Sequence, residues 1–287
     1  MQKTHRRPAS FYEEQYNARA SIPEHPQIFE RWAATSAVAR DAETCRLNLA
    51  YGAAPAEELD FFSSGQPLAP LLVFIHGGWW RSLDKSDFSF IAPAFTHAGI
   101  DVAITNYTLA PEASIEQITL QQIQAMAWLY RHADELGFDR HRIVVAGHSA
   151  GAHLSAMLMA ALWPQVGADL PIALIKGGIL LSGLYDLAPV VRAQFVNGDL
   201  KLNAASSRKL SPALLPQSHR IPFFTAVGGR ESDEFQRQNA LIGKRWKKTH
   251  TGGILLPEDN HLTICDAFAA SHNALCTTAI ALLKMTG

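Results

Sequence analysis

The chain has 287 residues, 48% hydrophobic and 18% charged, enough apolar material for a sizeable core and too much for an intrinsically disordered chain. Lys plus Arg number 25 against 26 Asp plus Glu, a formal charge of -1, so the basic excess expected of a nucleic-acid binder is missing. No apolar run approaches the ~18–20 residues of a membrane span, and the basic Lys3, Arg6 and Arg7 lead to Pro8, Glu13 and Glu14 where a signal peptide needs an apolar stretch.

Cys45, Cys265 and Cys276 are odd in number, widely spaced and without metal-ligand spacing, which reads as reduced, packed thiols in a cytoplasmic protein. From Phe11 to Arg40, helix formers interrupted by Pro23 and Pro26 predict one or two short helices able to fold over the rest as a lid. A further strand is read at Gly253 to Leu256, and continuous apolar β formers lie at Leu71 to Ile75, Ile100 to Thr105, Ile143 to Ala146, Ala173 to Leu181 (broken at Lys176-Gly177-Gly178) and Pro222 to Val227. Unbroken apolar character predicts strands buried on both faces, as in a parallel sheet. Between them, Ser114 to Leu136, Ala150 to Leu162 and Glu234 to Lys248 read as helices, the last ending in a basic turn that suits the helix dipole. Strand and helix alternate over about 200 residues, so the expected fold is α/β: one domain, 1–287, with an open, mostly parallel sheet covered on both faces and 1–40 as the lid. Ligands of such sheets bind beyond the carboxyl ends of the strands.

Two strand-end loops carry chemistry. Gly147-His148-Ser149-Ala150-Gly151 stands between a strand and a helix. A tight turn there needs small neighbours, lifts the Ser149 hydroxyl above the sheet and aims the Ala150 N–H at a developing oxyanion. Ile75-His76-Gly77-Gly78-Trp79-Trp80 ends the first long strand; Gly77 is assigned to the turn, and Gly78 and Trp79 N–H to the oxyanion hole with Ala150. His76 reads as a brace of this loop.

An activated serine needs a base and an orienting acid, in the chain order Ser, acid, His for this fold. His153 lies within the helix after Ser149, and His219 and His250 precede strands; His261, in the polar loop Pro257 to Leu262, is at the right end of the sheet. In Gly228-Gly229-Arg230-Glu231-Ser232-Asp233-Glu234, Glu231 ranks ahead of Asp233 as the acid, since Asp233 and Glu234 suit a helix start, and Asp259 reads as a turn residue. Trp79 or Trp80 is placed to wall an aromatic pocket, with core packing the competing reading; Tyr107, Tyr185 and Phe195 follow later strands, where packing is preferred over lining a cap near the substrate. No metal or other cofactor is expected: His148 and His153 are five apart and HExxH is absent. A non-catalytic ligand-binding member of the fold is the competing class, set aside because serine, acid and histidine are all retained.

These residues resemble the α/β-hydrolase fold and, more narrowly, its kynurenine formamidase (arylformamidase) branch near the hormone-sensitive-lipase-like esterases. The matching points are HGGWW at 76–80, Asn106 to Pro111, GHSAG at 147–151, Ser182 to Leu187, Glu231-Ser232 with Glu234-Phe235, Asn260-His261, and the opening Gln15-Tyr16-Asn17-Ala18-Arg19. One departure is Glu231, where many hydrolases of this fold carry Asp. The resemblance implies removal of a small acyl group from an aryl amide such as N-formylkynurenine, in tryptophan catabolism, with Ser149, Glu231 and His261 as the triad, Gly78, Trp79 and Ala150 as oxyanion donors and Trp80, Tyr107 and Tyr185 near the substrate. A broad short-chain carboxylesterase is the alternative. The expected partner is a small ester or aryl amide, with no nucleic acid or membrane, and a homodimer is left open.

Overall fold

The computed structural model describes residues 7–286; Lys3 and Arg6, used above against a signal peptide, lie outside the described residues. Eight strands form one sheet among them: β1 (Cys45–Ala50), β2 (Glu58–Phe62), β3 (Ala69–Ile75), β4 (Asp101–Thr105), β5 (Phe138–His148), β6 (Ile175–Leu181), β7 (Phe223–Gly228) and β8 (His250–Leu256). Their order across the sheet is β1-β2-β4-β3-β5-β6-β7-β8, with β1, β2 and β4 joined antiparallel and every later pairing parallel.

The pleat divides the unbroken apolar runs between two layers. In β3, Leu71, Val73 and Ile75 face a core shared with the helices Ile115–Arg131, Ala150–Ala160 and Asp233–Arg245. Leu72 and Phe74 face the opposite core, closed by Trp32 of helix His25–Ala42, Phe268 and Cys276. This explains why the runs in β3 to β7 read as continuously hydrophobic: both of their faces are covered, whereas the edge strands β1 and β8 are largely exposed.

Two expectations need correction. The run Ala173 to Leu181 is one strand despite Lys176-Gly177-Gly178, because the missing side chains make room for neighbours: a Cβ on Gly178 would meet the Met159 sulfur at 2.6 Å, and one on Gly177 would meet Leu282 at 3.2 Å. The helix from Ser114 begins where expected, with Ser114 and Gln117 bonding reciprocally as its cap, but breaks at His132 into Ile115–Arg131 and Ala133–Leu136. Strands β1 and β2 went unread. Asp60 is buried within β2, and a charge there argues against a strand until Lys85 is seen to meet it at 2.9 Å.

The N-terminal segment forms helices Ala9–Tyr16, Ala18–Ser21 and His25–Ala42. Tyr16 donates to Glu234 Oε2 at 2.7 Å, Trp32 Nε1 donates to Asp266 Oδ1 at 2.8 Å, and both rings are buried. These contacts fix the segment across the ends of the strands. Cys265 and Cys276 are buried and all three cysteines are free thiols. Among the described residues no helix is long and apolar enough to cross a membrane.

Candidate active site

Because β3 and β5–β8 run parallel, their carboxyl ends deliver 76–80, Ser149, Ser182, Glu231 and His261 to one rim of the sheet. Ser149 sits in the sharp turn between β5 and the helix Ala150–Ala160 with φ 56° and ψ -117°, a conformation costing about 1–3 kcal/mol for a non-glycine residue. Its neighbours leave no choice of residue: a Cβ on Gly147 would meet Gly151 O at 2.3 Å, and one on Gly151 would meet Ile75 O at 1.9 Å.

His261 Nδ1–H donates to Glu231 Oε2 at 2.6 Å, which leaves the Nε2 lone pair facing Ser149 Oγ at 2.9 Å. Serine and imidazole are almost wholly covered, at 2% and 6% exposure. Glu231 is held on its other oxygen by the Gly228 N–H at 2.7 Å and by the Ser182 hydroxyl. The acid loop and the histidine loop are stitched together, Arg230 N–H donating to Asp259 O at 3.0 Å and Gly229 N–H to Leu256 O at 2.7 Å. Asp233 instead opens the helix Asp233–Arg245, and Asp259 serves the turn through its carbonyl. His219 and His250 lie at the amino ends of β7 and β8, and His153 is buried with Nε2 donating to Leu210 O at 2.7 Å.

The 76–80 loop is strained: Gly78, Trp79 and Trp80 have φ of 104°, 56° and 55°. Gly78 must be glycine, since a Cβ would strike Ser82 O at 2.0 Å. The turn expected at Gly77 therefore falls one residue later. Gly77 is needed for close approach, its absent side chain leaving room for His148 O (2.9 Å) and Ser149 Cβ (3.1 Å). The N–H groups of Gly78, Trp79 and Ala150 meet no acceptor among the described residues. His76 braces the loop as expected, its ring nitrogens 2.8 Å from Gly77 O and 3.0 Å from Asn106 Oδ1.

The aromatic assignments change. Trp80, Tyr107 and Tyr185 are at most 1% exposed and stand in the core rather than around Ser149. Trp80 packs edge-on to His153 at 5.0 Å; Tyr107 stacks on His76 at 4.4 Å and donates to its carbonyl at 3.0 Å; Tyr185 lies against Gly183. Of the adjacent pair it is Trp79 that borders the serine, with Phe195 edge-on behind it at 5.7 Å. The remaining walls of this cavity come from Leu83, Leu262 and the N-terminal helices, through Ala18, Arg19, Phe29 and Trp32. It is a tight cavity of about 30 Å³. A larger cavity of about 400 Å³, lined in part by Tyr12, Arg192 and Arg208, includes none of Ser149, Glu231 and His261, so chemistry rather than size identifies the site.

Two contributors went unread in the sequence. Ser182 follows β6 at the same rim, and its strand-end position was the available signal. His148 is buried beside Ser149; its Nε2 donates to the His261 carbonyl at 2.6 Å, leaving Nδ1 without a partner among the described residues. Burial, with the neighbouring His261, pushes its pKa far below the usual imidazole value, so it stays neutral and tethers the histidine loop. No cluster of side chains able to hold a metal occurs among the described residues.

Comparison with known proteins bears on this site. A family profile described as BD-FAE matches residues 59–165. The kynurenine formamidase of Salmo salar is 30% identical over 262 residues, covering 87% of this chain and 84% of its own. The structure of a candidate thioesterase from Silicibacter sp. TM1040 superposes with a TM-score of 0.83 at 30% identity, over 95% of this chain and 98% of that one. Esterase LipC of Mycobacterium tuberculosis is 31% identical over 164 residues, 53% of this chain and 40% of its own. The fold is thus shared with hydrolases along nearly its whole length.

Proposed function

The chain belongs to the kynurenine formamidase family of α/β-hydrolases, and from that premise we propose that it is a serine hydrolase removing a formyl group from an aryl amide such as N-formylkynurenine. The observation that carries the reading is the relay from Ser149 through His261 to Glu231, with contacts of 2.9 and 2.6 Å. His261 takes the hydroxyl proton as Ser149 attacks the carbonyl carbon. Glu231 holds the imidazole in the Nδ1–H tautomer and stabilises the imidazolium. The unused N–H groups of Gly78, Trp79 and Ala150 receive the oxyanion, each such donor typically contributing about 3–4 kcal/mol to the transition state. His261 then protonates the leaving amine, and water, activated by the same imidazole, releases formate from the acyl-serine.

Phe29, Trp32 and Trp79, in the cavity that holds Ser149, offer aromatic walls to an aryl leaving group. A second reading, a broad short-chain carboxylesterase, draws on the esterase relatives. N-formylkynurenine and p-nitrophenyl acetate, assayed side by side, separate the two. Turnover of the formamide is expected; brisk ester cleavage with no formamide turnover would leave only the esterase. Labelling of Ser149 by a fluorophosphonate tests the nucleophile independently.

A further inference from the structure

Arg19 is the one formally charged side chain on the wall of the Ser149 cavity. No carboxylate lies within ion-pair distance of it among the described residues. Its polar partner is the neutral Ser82 hydroxyl at 2.7 Å, which in turn donates to Gly78 O at 2.9 Å in the loop beside the serine. The neighbouring Arg81 takes the available acid, Asp199, and the Phe195 carbonyl. Phe29 supports the guanidinium from one side, with 5.2 Å from its carbon to the ring centroid, so the planar fork is held in place while its residue remains exposed. Partial withdrawal of the guanidinium from water, and next the Arg81 charge, disfavour this cation although the residue as a whole is exposed, and an anion in the cavity mouth would offset both effects.

We propose that Arg19 selects substrates whose leaving group carries a carboxylate, held by charge-assisted hydrogen bonds at the mouth of the cavity while the small acyl group sits on Ser149. The charge is placed on the leaving group because a formyl group, the acyl part in the formamidase reading, has no carboxylate to offer. This deepens the formamidase reading and rests on Ser149 being the nucleophile. The substrate class becomes acyl derivatives of amino- or hydroxyaryl compounds with a carboxylate. Arg19 is then a specificity residue supplied by the N-terminal helices.

The test compares each ortho, meta and para acetoxybenzoate with the matching neutral acetoxybenzamide, and repeats this with formamidobenzoates and formamidobenzamides. For at least one ring position the acid is expected to exceed its amide by roughly tenfold in kcat/KM, chiefly through KM, as expected for an interaction made equally in ground and transition states. The ratio should collapse toward one in Arg19→Met, persist in part in Arg19→Lys, and shrink in the wild type as salt rises. A ratio near one at every position in the wild type, or an undiminished ratio in Arg19→Met, overturns the proposal. The ester series judges Arg19 even if no formamide is cleaved, so failure of the formamidase reading stays distinguishable.

Discussion

Glu231 accepts from the Gly228 N–H, the Ser182 hydroxyl and the His261 ring, and its side chain is out of water. A Glu231→Gln amide can accept from only one of its two atoms and would turn an N–H toward His261 Nδ1 or toward the other two donors. The first arrangement spoils the tautomer; the second sets an N–H against the Gly228 N–H and removes the charge that stabilises the imidazolium. In either case kcat should fall by about 10³- to 10⁴-fold while the thermal midpoint stays close to wild type; steady-state kinetics with a melting curve checks both, and unchanged kcat would remove Glu231 from the relay. Ser182→Ala removes one of the three donors and should lower kcat by roughly tenfold, the scale of one hydrogen bond to a charged group. Of these residues, Ser149, Glu231 and His261 were legible from strand-end position and chain order. Ser182 was not, because its role depends on a carboxylate 49 residues away.

At the scale of elements, the N-terminal helices carry more than a covering role. Trp32 is buried against Phe88 and Phe90, donates to Asp266 and forms part of the cavity wall. Trp32→Ala should cost about 3–5 kcal/mol in urea denaturation, the usual range for an emptied aromatic site, and should raise KM for aryl substrates; loss of stability below ~1 kcal/mol would mean the helices are only loosely docked. The turn at Ser149 is less forgiving. Gly151→Ala drives a methyl group into the Ile75 carbonyl, so the helix must move off β3 and carry the Ala150 N–H with it. Soluble Gly151→Ala protein with wild-type kcat would contradict that geometry. Strands β3 to β7 could be read because burial on both faces removes polar positions from their apolar runs, whereas β8, at the exposed edge, was placed only by its position before the His261 loop. Strands β1 and β2 could not, because the exposure of one and the ion-paired Asp60 of the other depend on neighbours elsewhere in the chain.

Across the whole molecule, His76, His148 and His153 are buried and their pKa values are lowered, first of all by burial, that of His153 to about 4. An unfolded chain protonates these rings near 6.5, so between that value and the folded pKa the unfolded state binds more protons. Stability is therefore fully present above about pH 6.5 and declines as pH falls. By pH 4, His153 alone accounts for a loss of about 3 kcal/mol. Urea midpoints at pH 7, 5.5 and 4.5 should fall in that order, with a shallower slope in His153→Phe; identical slopes would exclude His153 as a contributor. The sequence by itself determined the layered α/β architecture, because apolar runs of strand length cannot be satisfied except between two covering layers. It also determined which strand ends carry a serine, an acid and a histidine. Only the tertiary structure decided which aromatics line the cavity and which fill the core, since Trp79 and Trp80 are adjacent in sequence and differ only in the direction a strained backbone sends them. It alone brought Arg19 to the serine, because that proximity is set by how the N-terminal helices cross the sheet rather than by any local pattern.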